Sequence, residues 1–248
     1  MTKTINVWIC GPYGKMGTEL ISTISGESDI HIAGVVSPEH VGMKCKTQSG
    51  ELEVFASLEE LASKCEKPDV VVDFTLASAA YENAIFSAKN SINFVSGTTG
   101  LNDQQRNEII GEFEKSGANA IIASNFSVGA VLMMRFAAQA SAHFSHAEIV
   151  EIHHTQKLDS PSGTAITTKN SMMDNANPDL KEIPIHSVRL PGAIAHQQIL
   201  LSNVGEVLRI EHDANDRRCF MPGIVLAIRK VEDVQGVSFS IENLLFPS

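Results

Sequence analysis

The chain has 248 residues, 43% of them apolar, enough to bury a substantial core as one large domain or two smaller ones. Its 19 Lys and Arg against 29 Asp and Glu leave a net charge of −10, which excludes a protein that simply coats nucleic acid or anionic membrane. A local basic pocket for a small anion stays open. No run approaches the roughly 18 apolar residues of a membrane span. Cys10, Cys45, Cys65 and Cys219 are scattered and form no C-x-x-C pair, as expected of thiols in a reducing compartment. A strand-like pattern begins within a few residues of Met1 with no signal or transit segment ahead of it, so the expected location is the cytoplasm.

The first half alternates in a βα rhythm. In "INVWICG" (5–11), Ile5, Val7 and Ile9 share one face of a short strand. "KMGTELISTIS" (15–25) then carries Met16, Leu20, Ile21 and Ile24 as a helical stripe. "IHIAGVV" (30–36) is the next strand, and "DVVVDFT" (69–75) is a continuous apolar run of the buried parallel kind. Residues 79–90 form a helix, 92–100 a strand ending in a Gly-Thr loop, and 103–117 a helix that Gly117 stops. "NAIIAS" (119–124) closes the series. This alternation predicts an α/β fold with a doubly wound parallel sheet, a Rossmann-like domain.

After "NFSVGA" the rhythm changes. A long apolar helix is expected over about 128–143, a strand over "AEIVEIHH" (147–154), and a polar helix from about Gly163. Three strand-like runs follow: "IHSVRL", "AHQQILLS" and "GEVLRIEH". Consecutive strands with short connections predict an antiparallel or mixed sheet in a second, α+β domain. "RRCFMPGIVLAIRKV" (217–231) reads as a helix interrupted near Pro222, and residues 172–184 as the most loop-like stretch. The expected division is 1–125, with 217–248 returning to it, against 126–216.

"GPYGKMG" sets Gly11, Gly14 and Gly17 between the first strand and the first helix. Its G-x-x-G-x-x-G spacing departs from the G-x-G-x-x-G dinucleotide fingerprint, but the physics is similar: a tight turn, close backbone approach to a pyrophosphate, and a helix N-terminus facing the anion. The position between strand and amphipathic helix is what points to a dinucleotide site, with an ordinary βα turn as the alternative. The acid that would hold the ribose 2′-hydroxyl is missing, since Ser37 and Pro38 follow the second strand and Glu39 lies just beyond. Lys15 in the turn can attract a 2′-phosphate, so NADPH is expected at least as readily as NADH. Two small, hydroxyl-rich loops, "SGTTG" (96–100) and "ASNFSVG" (123–129), end successive strands where a cofactor would lie.

"EIHHTQKLDSPSGT" (151–164) concentrates the remaining chemistry. In an extended strand, His153 and His154 point to opposite faces, which argues against one metal held by both, and no metal is expected. Lys157 places a cation beside an imidazole able to donate a proton near neutral pH. Ser162 and Thr164 hydroxyls, with backbone N–H groups at a helix start and Gly163 allowing close approach, form a carboxylate cradle. The same atoms suit a helix N-cap after a proline turn, and they can serve both purposes.

Read with its neighbours, "EIVEIHHTQKLDSPSGTA" resembles the signature of the dihydrodipicolinate reductases, whose E-x-H-H-x-x-K-x-D-x-P-S-G-T pattern fits from Glu151 to Thr164 without a gap. "GPYGKMG", "VVDFT", "SGTTGL" and "SNFSVGA" resemble the family's first half; "IHSVRLPGAIAHQQILL", "GEVLRIEHDANDR" and "FMPGIVLAIRKV" resemble its second. The resemblance implies NAD(P)H-dependent reduction of 4-hydroxy-tetrahydrodipicolinate in lysine and diaminopimelate synthesis, by a homotetramer built through the second domain's sheet and hinged between domains. It puts the proton donor on His153 with Lys157 as partner cation. Substrate carboxylate contacts fall on His154, Lys157, Ser162, Gly163 and Thr164. Cofactor contacts fall on Gly11, Pro12, Tyr13, Gly14, Lys15 and Met16, on Gly97, Thr98 and Thr99, and on Ala123, Ser124, Asn125 and Phe126. The departure from the family pattern is Ser37-Pro38, where some members carry an acidic-basic pair. Two other readings remain: a reductase of the same architecture for another small keto or imino acid, and a nucleotide-binding protein without turnover.

Overall fold

A computed structural model describes residues 4–48 and 50–247. The chain divides into two compact units, one running to Phe126 and resuming at Met221, the other Ser127–Phe220. In chain order the first unit contributes β1 (Ile5–Cys10), α1 (Lys15–Ile24), β2 (Ile30–Val36), β3 (Lys44–Thr47), β4 (Gly50–Phe55), α2 (Leu58–Lys64), β5 (Val70–Asp73), α3 (Ala77–Lys89), β6 (Asn93–Ser96), α4 (Asp103–Ser116) and β7 (Ala120–Ile122). The second unit holds α5 (Val128–Ser141), β8 (His146–His153), α6 (Gly163–Asp174), β9 (Ile185–Arg189), β10 (Ala195–Asn203) and β11 (Glu206–Ala214). The return supplies α7 (Met221–Lys230), β12 (Val237–Ser238) and α8 (Glu242–Leu245). Relative to the expected boundaries, Phe126 sits with the first unit, and the short helical turn Arg217–Phe220 with the second.

The first unit is built on one sheet in the order β12-β7-β6-β5-β1-β2-β4-β3. Every neighbouring pair is parallel except β3 with β4. All four residues of β5 are buried, as the unbroken apolar run requires of a strand covered on both faces. The chain builds β1, β2 and β4 to one side, then returns to lay β5, β6 and β7 on the other. The reversal falls between β1 and β5, where the carboxyl ends of such sheets bind ligands. Trp8, Val71, Phe94, Ile109 and Phe113 anchor a core on one face.

Three features of this unit correct or extend the sequence reading. The antiparallel pair β3–β4 and the helix α2 lie in a stretch where no element was expected: "KCKT" and "GELEVF" alternate charge with apolar residues at a sheet edge, which gives no apolar run. β7 does not close the sheet, because β12, only two residues long, pairs parallel to it from the returning segment. The helix read over 217–231 is broken next to Pro222, where the short helical turn Arg217–Phe220 gives way to α7. Pro222 is the second residue of α7, where its missing N–H costs no intrahelical bond.

The second unit has a mixed sheet in the order β11-β10-β8-β9: β10 is antiparallel to β8 and β11, and β9 is parallel to β8. Met133 of α5 and Met172 of α6 pack with Ile149, Ile199 and Leu201 on one face of the sheet. Along β8, Ala147, Ile149 and Glu151 are buried while His146 and Glu148 are exposed, the period of two expected of a sheet covered on one side. The strand ends at His153, so His154 lies outside it and strand alternation does not set its direction. All four cysteines are free, and among the described residues no helix is long and apolar enough to cross a membrane.

Candidate active site

In the first unit the glycine turn joins β1 to α1 at the reversal point of the sheet. Gly11 has φ +83°, a left-handed conformation that side chains resist. A Cβ on Gly17 would stand 2.0 Å from the Gly11 carbonyl oxygen, so only glycine lets α1 pack onto the turn. Gly14 caps α1 without a side-chain bond, and the first turn carries no acidic residue. The N–H groups and positive helix end that follow Gly14 are therefore arranged for an outside anion. The turn fits the pyrophosphate of a dinucleotide, with Gly11, Pro12, Tyr13, Gly14, Lys15 and Met16 around it. At the end of β2, the Ser37 hydroxyl is 2.8 Å from His40 Nδ1, and the His40 ring lies 4.3 Å from that of Tyr13.

The neighbouring strand ends are tied together by a carboxylate missed in the sequence. Asp73, the last residue of β5, is 0% exposed. It accepts hydrogen bonds from the Thr75 N–H and hydroxyl, from Asn83 at 2.7 Å, and from the Thr98 hydroxyl at 3.0 Å. Burial pushes its pKa up, against the lowering effect of those donors. The single hydroxyl hydrogen of Thr98 is shared between Asp73 and the Thr75 carbonyl, 2.9 Å away, so its side chain braces the loop while the backbone of Gly97, Thr98 and Thr99 follows β6. Of the residues after β7, Ala123 and Phe126 are buried, Phe126 against the edge of Phe74, and Ser124 and Asn125 lie between them.

The second cluster assembles where β8 ends and α6 begins. Glu151 is fully buried on the covered face of the sheet, and its carboxylate is the hub. Arg189 donates two N–H bonds to it, both 2.9 Å, and the Ser162 N–H a third at 3.2 Å. His153 Nδ1 meets the same carboxylate, and parallel pairing sets His153 beside Arg189 in register. Burial pushes Glu151 up, but the bonds from Arg189, Ser187 and His153 outweigh it and hold the pKa at about 2. His153 is lowered, first by burial; the Glu151 carboxylate raises it, and the charges of Lys157 and Arg189 add to the fall.

Lys157 Nζ pairs with Asp159 at 2.9 Å. Ser162 caps α6 through a bond from the Ala165 N–H, and the space a Cβ on Gly163 would take is open. Gly163 is thus kept by neither crowding nor a left-handed backbone, which leaves room for a ligand at the helix start. Thr164 follows in the first turn, and His154 Nδ1 is buried without a hydrogen-bond partner. His153, His154, Lys157, Ser162, Gly163 and Thr164 therefore share one loop between β8 and α6, with Glu151 and Arg189 beside them. Glu151 carried a signal in the sequence, a glutamate in register with Ala147 and Ile149 on the apolar face. Arg189 carried none, since only the pairing of β9 with β8 brings it there. Among the described residues no three His, Cys, Asp or Glu side chains converge as a metal set.

Comparison with known proteins covers the same ground. The family model described as dihydrodipicolinate reductase, N-terminus, matches residues 5–126, and that described as its C-terminus matches 129–245. The 4-hydroxy-tetrahydrodipicolinate reductase of Moorella thermoacetica is 38% identical over 267 residues, covering 99% of each chain. That of Enterococcus faecalis is 38% identical over 261 residues, covering 97% of this chain and 100% of its own. A dipicolinate-bound dihydrodipicolinate reductase from a Paenisporosarcina species superposes with a TM-score of 0.82 at 36% identity, over 97% of this chain and 99% of that one. A myo-inositol dehydrogenase from Corynebacterium glutamicum, 13% identical, shares the fold alone, with a TM-score of 0.68 over 95% and 90% of the two chains. With both family models matched in chain order across nearly the whole length, the chain belongs to the dihydrodipicolinate reductase family.

Proposed function

We infer that the chain catalyses the NAD(P)H-dependent reduction of 4-hydroxy-tetrahydrodipicolinate to tetrahydrodipicolinate, a step of lysine and diaminopimelate biosynthesis. The observation that carries this reading is the loop between β8 and α6, which joins a histidine, a lysine and a helix start with open space beside Gly163, in a chain that matches the family along nearly its whole length. Net, the substrate loses its 4-hydroxyl as water and gains a hydride and a proton. A bound nicotinamide supplies the hydride.

The chain's own residues bind, orient and protonate. Lys157 and the start of α6, with Ser162, Gly163 and Thr164, hold a substrate carboxylate, and His154 supports it. That positive end favours electron density arriving on the ring. His153 then gives the proton, its imidazolium becoming neutral imidazole. In the first unit the glycine turn would hold the pyrophosphate of a nicotinamide dinucleotide, with residues 97–99 and 123–126 as its further contacts. No acid ends β2, so the site accepts NADPH as well as NADH.

A coupled assay with enzymatically generated 4-hydroxy-tetrahydrodipicolinate, run with each cofactor, tests both points. Oxidation of both nicotinamides is expected; none with either would point to another keto or imino acid, and a strong preference for NADH would refute the 2′-phosphate reading. For the assembly, the reading is a homotetramer built through the second unit's sheet, as the resemblance implies. A groove of about 370 Å³ lies on that sheet, lined by Val150, Ile152, Leu190, His196 and Gln198, and this face is offered as the interface. Light scattering on the purified chain should give four copies, and a monomer would remove that assignment.

A further inference from the structure

Glu151 breaks the pattern of its own strand. The two inward residues before it, Ala147 and Ile149, are core, and the third is a carboxylate with no exposed surface. Burying a charge costs several kcal/mol before its partners are counted, and a buried ion pair is weak evidence for stability because apolar replacements often serve as well. The partners here are directed. Arg189 grips both carboxylate oxygens, and its own remaining contacts, to the Val188 and Asp159 carbonyls at 2.7 and 2.8 Å, hold the guanidinium in place. The Ser162 N–H takes one oxygen, and His153 Nδ1 approaches the other. With Ser187 as a further donor, the carboxylate is held from several sides and meets the ring of His153 by one nitrogen.

We infer that Glu151, clamped by Arg189, is the positioning residue of the reduction: it accepts the Nδ1–H of His153 and dedicates Nε2 to delivering the proton. This rests on the reading of His153 as proton donor. In the imidazolium both ring nitrogens carry hydrogen. The Nε2–H bond breaks as the bond to the substrate forms, the electron pair stays on Nε2, and the ring is left as the neutral Nδ1–H tautomer. Glu151 remains a carboxylate throughout, so no proton passes down the chain of contacts. The charged groups acting on His153 are Glu151 from its own strand, Arg189 from β9 and Lys157 from the following loop, itself paired with Asp159. The facing residue of β10 is Ala195, which does not titrate.

Two measurements on the full-length chain test this. Nitrogen-15 NMR of wild type, titrated above the His153 transition, should show the neutral ring protonated at Nδ1; protonation at Nε2 would overturn the assignment. Glu151→Gln should lower kcat by roughly 10²-fold and move the alkaline fall of kcat/KM to lower pH, with NADPH binding retained. A loss of rate with the pH profile in its original place would mean a merely structural role and would also overturn it. Should Glu151→Gln fail to fold, the wild-type spectrum decides alone. Failure of wild type to oxidise NADH or NADPH with the substrate would instead count against the proposed function, and the tautomer would still be read.

Discussion

As the proposed proton donor, His153 faces opposing pulls. Burial, with Lys157 and Arg189 nearby, lowers the pKa of His153, and Glu151 alone works the other way. The donor has to be protonated, so activity should fall as pH rises through that pKa. A bound dicarboxylate adds negative charge beside the ring and raises it. The fall in kcat, which reports the complex, should therefore lie at higher pH than the fall in kcat/KM, which reports the free enzyme. Coincident profiles would mean that the substrate charge does not reach His153. His153→Ala and Lys157→Ala should each reduce kcat by roughly 10²–10⁴-fold, the usual worth of a general acid, while NADPH binding, followed by fluorescence, survives. Wild-type turnover in either variant would refute its role.

Two helix starts in this chain use glycine for different physical reasons. At α1, Gly17 is required by packing, because any Cβ there collides with the Gly11 carbonyl. Gly17→Ala should displace the turn and abolish NADPH binding while dipicolinate still binds, as titration calorimetry with each would show. At α6, Gly163 is surrounded by open space, and alanine is the better helix former. Gly163→Ala should therefore leave Tm unchanged or slightly raised yet raise the substrate KM, because the new methyl stands where a carboxylate approaches. A fall in Tm without a change in KM would show that Gly163 serves the fold and not the ligand. Ser162 stabilises the same helix start, capping α6 with its hydroxyl and bonding Glu151 through its N–H, so cap and site are one structure.

For the molecule as a whole, two partly buried histidines and Glu151 lower stability in acid, against Asp73, whose raised pKa works the other way. His153 and His212 are both lowered by burial, so their contribution is complete above the ordinary histidine value of 6.5 and declines as pH falls below it. Glu151, at about 2 against an ordinary 4.5, adds stability above 4.5 that is lost as pH falls from there toward 2. The shift makes the Glu151 carboxylate one of the groups whose protonation in acid works against the fold. Tm should decline below about pH 6.5 and more steeply below 4.5, and Glu151→Gln should flatten the lower part of the curve. Thermal melts at stepped pH check this; a flat curve between pH 7 and 3 would contradict it.

Local physics made much of the molecule legible in its sequence. The apolar run Val70–Val72 reads as a strand covered on both faces, a left-handed Gly117 ends α4, and the glycines of 11–17 fall between a strand and an amphipathic helix. The same holds for the cluster from His153 to Thr164, whose residues are close because they are close in the chain. Contacts between distant segments were settled only by the tertiary structure. β3, β4 and β12 have no apolar run long enough to announce them and exist because a neighbouring strand offers its edge. Asp73 reaches Thr98 across 25 residues, and Arg189 reaches Glu151 across 38. The sequence thus determined which residues of the proposed site lie together in one short stretch, since closeness along the chain suffices for that. Strand pairing decided how those groups are held, because register between distant segments is written in the packing and not in any one stretch of chain.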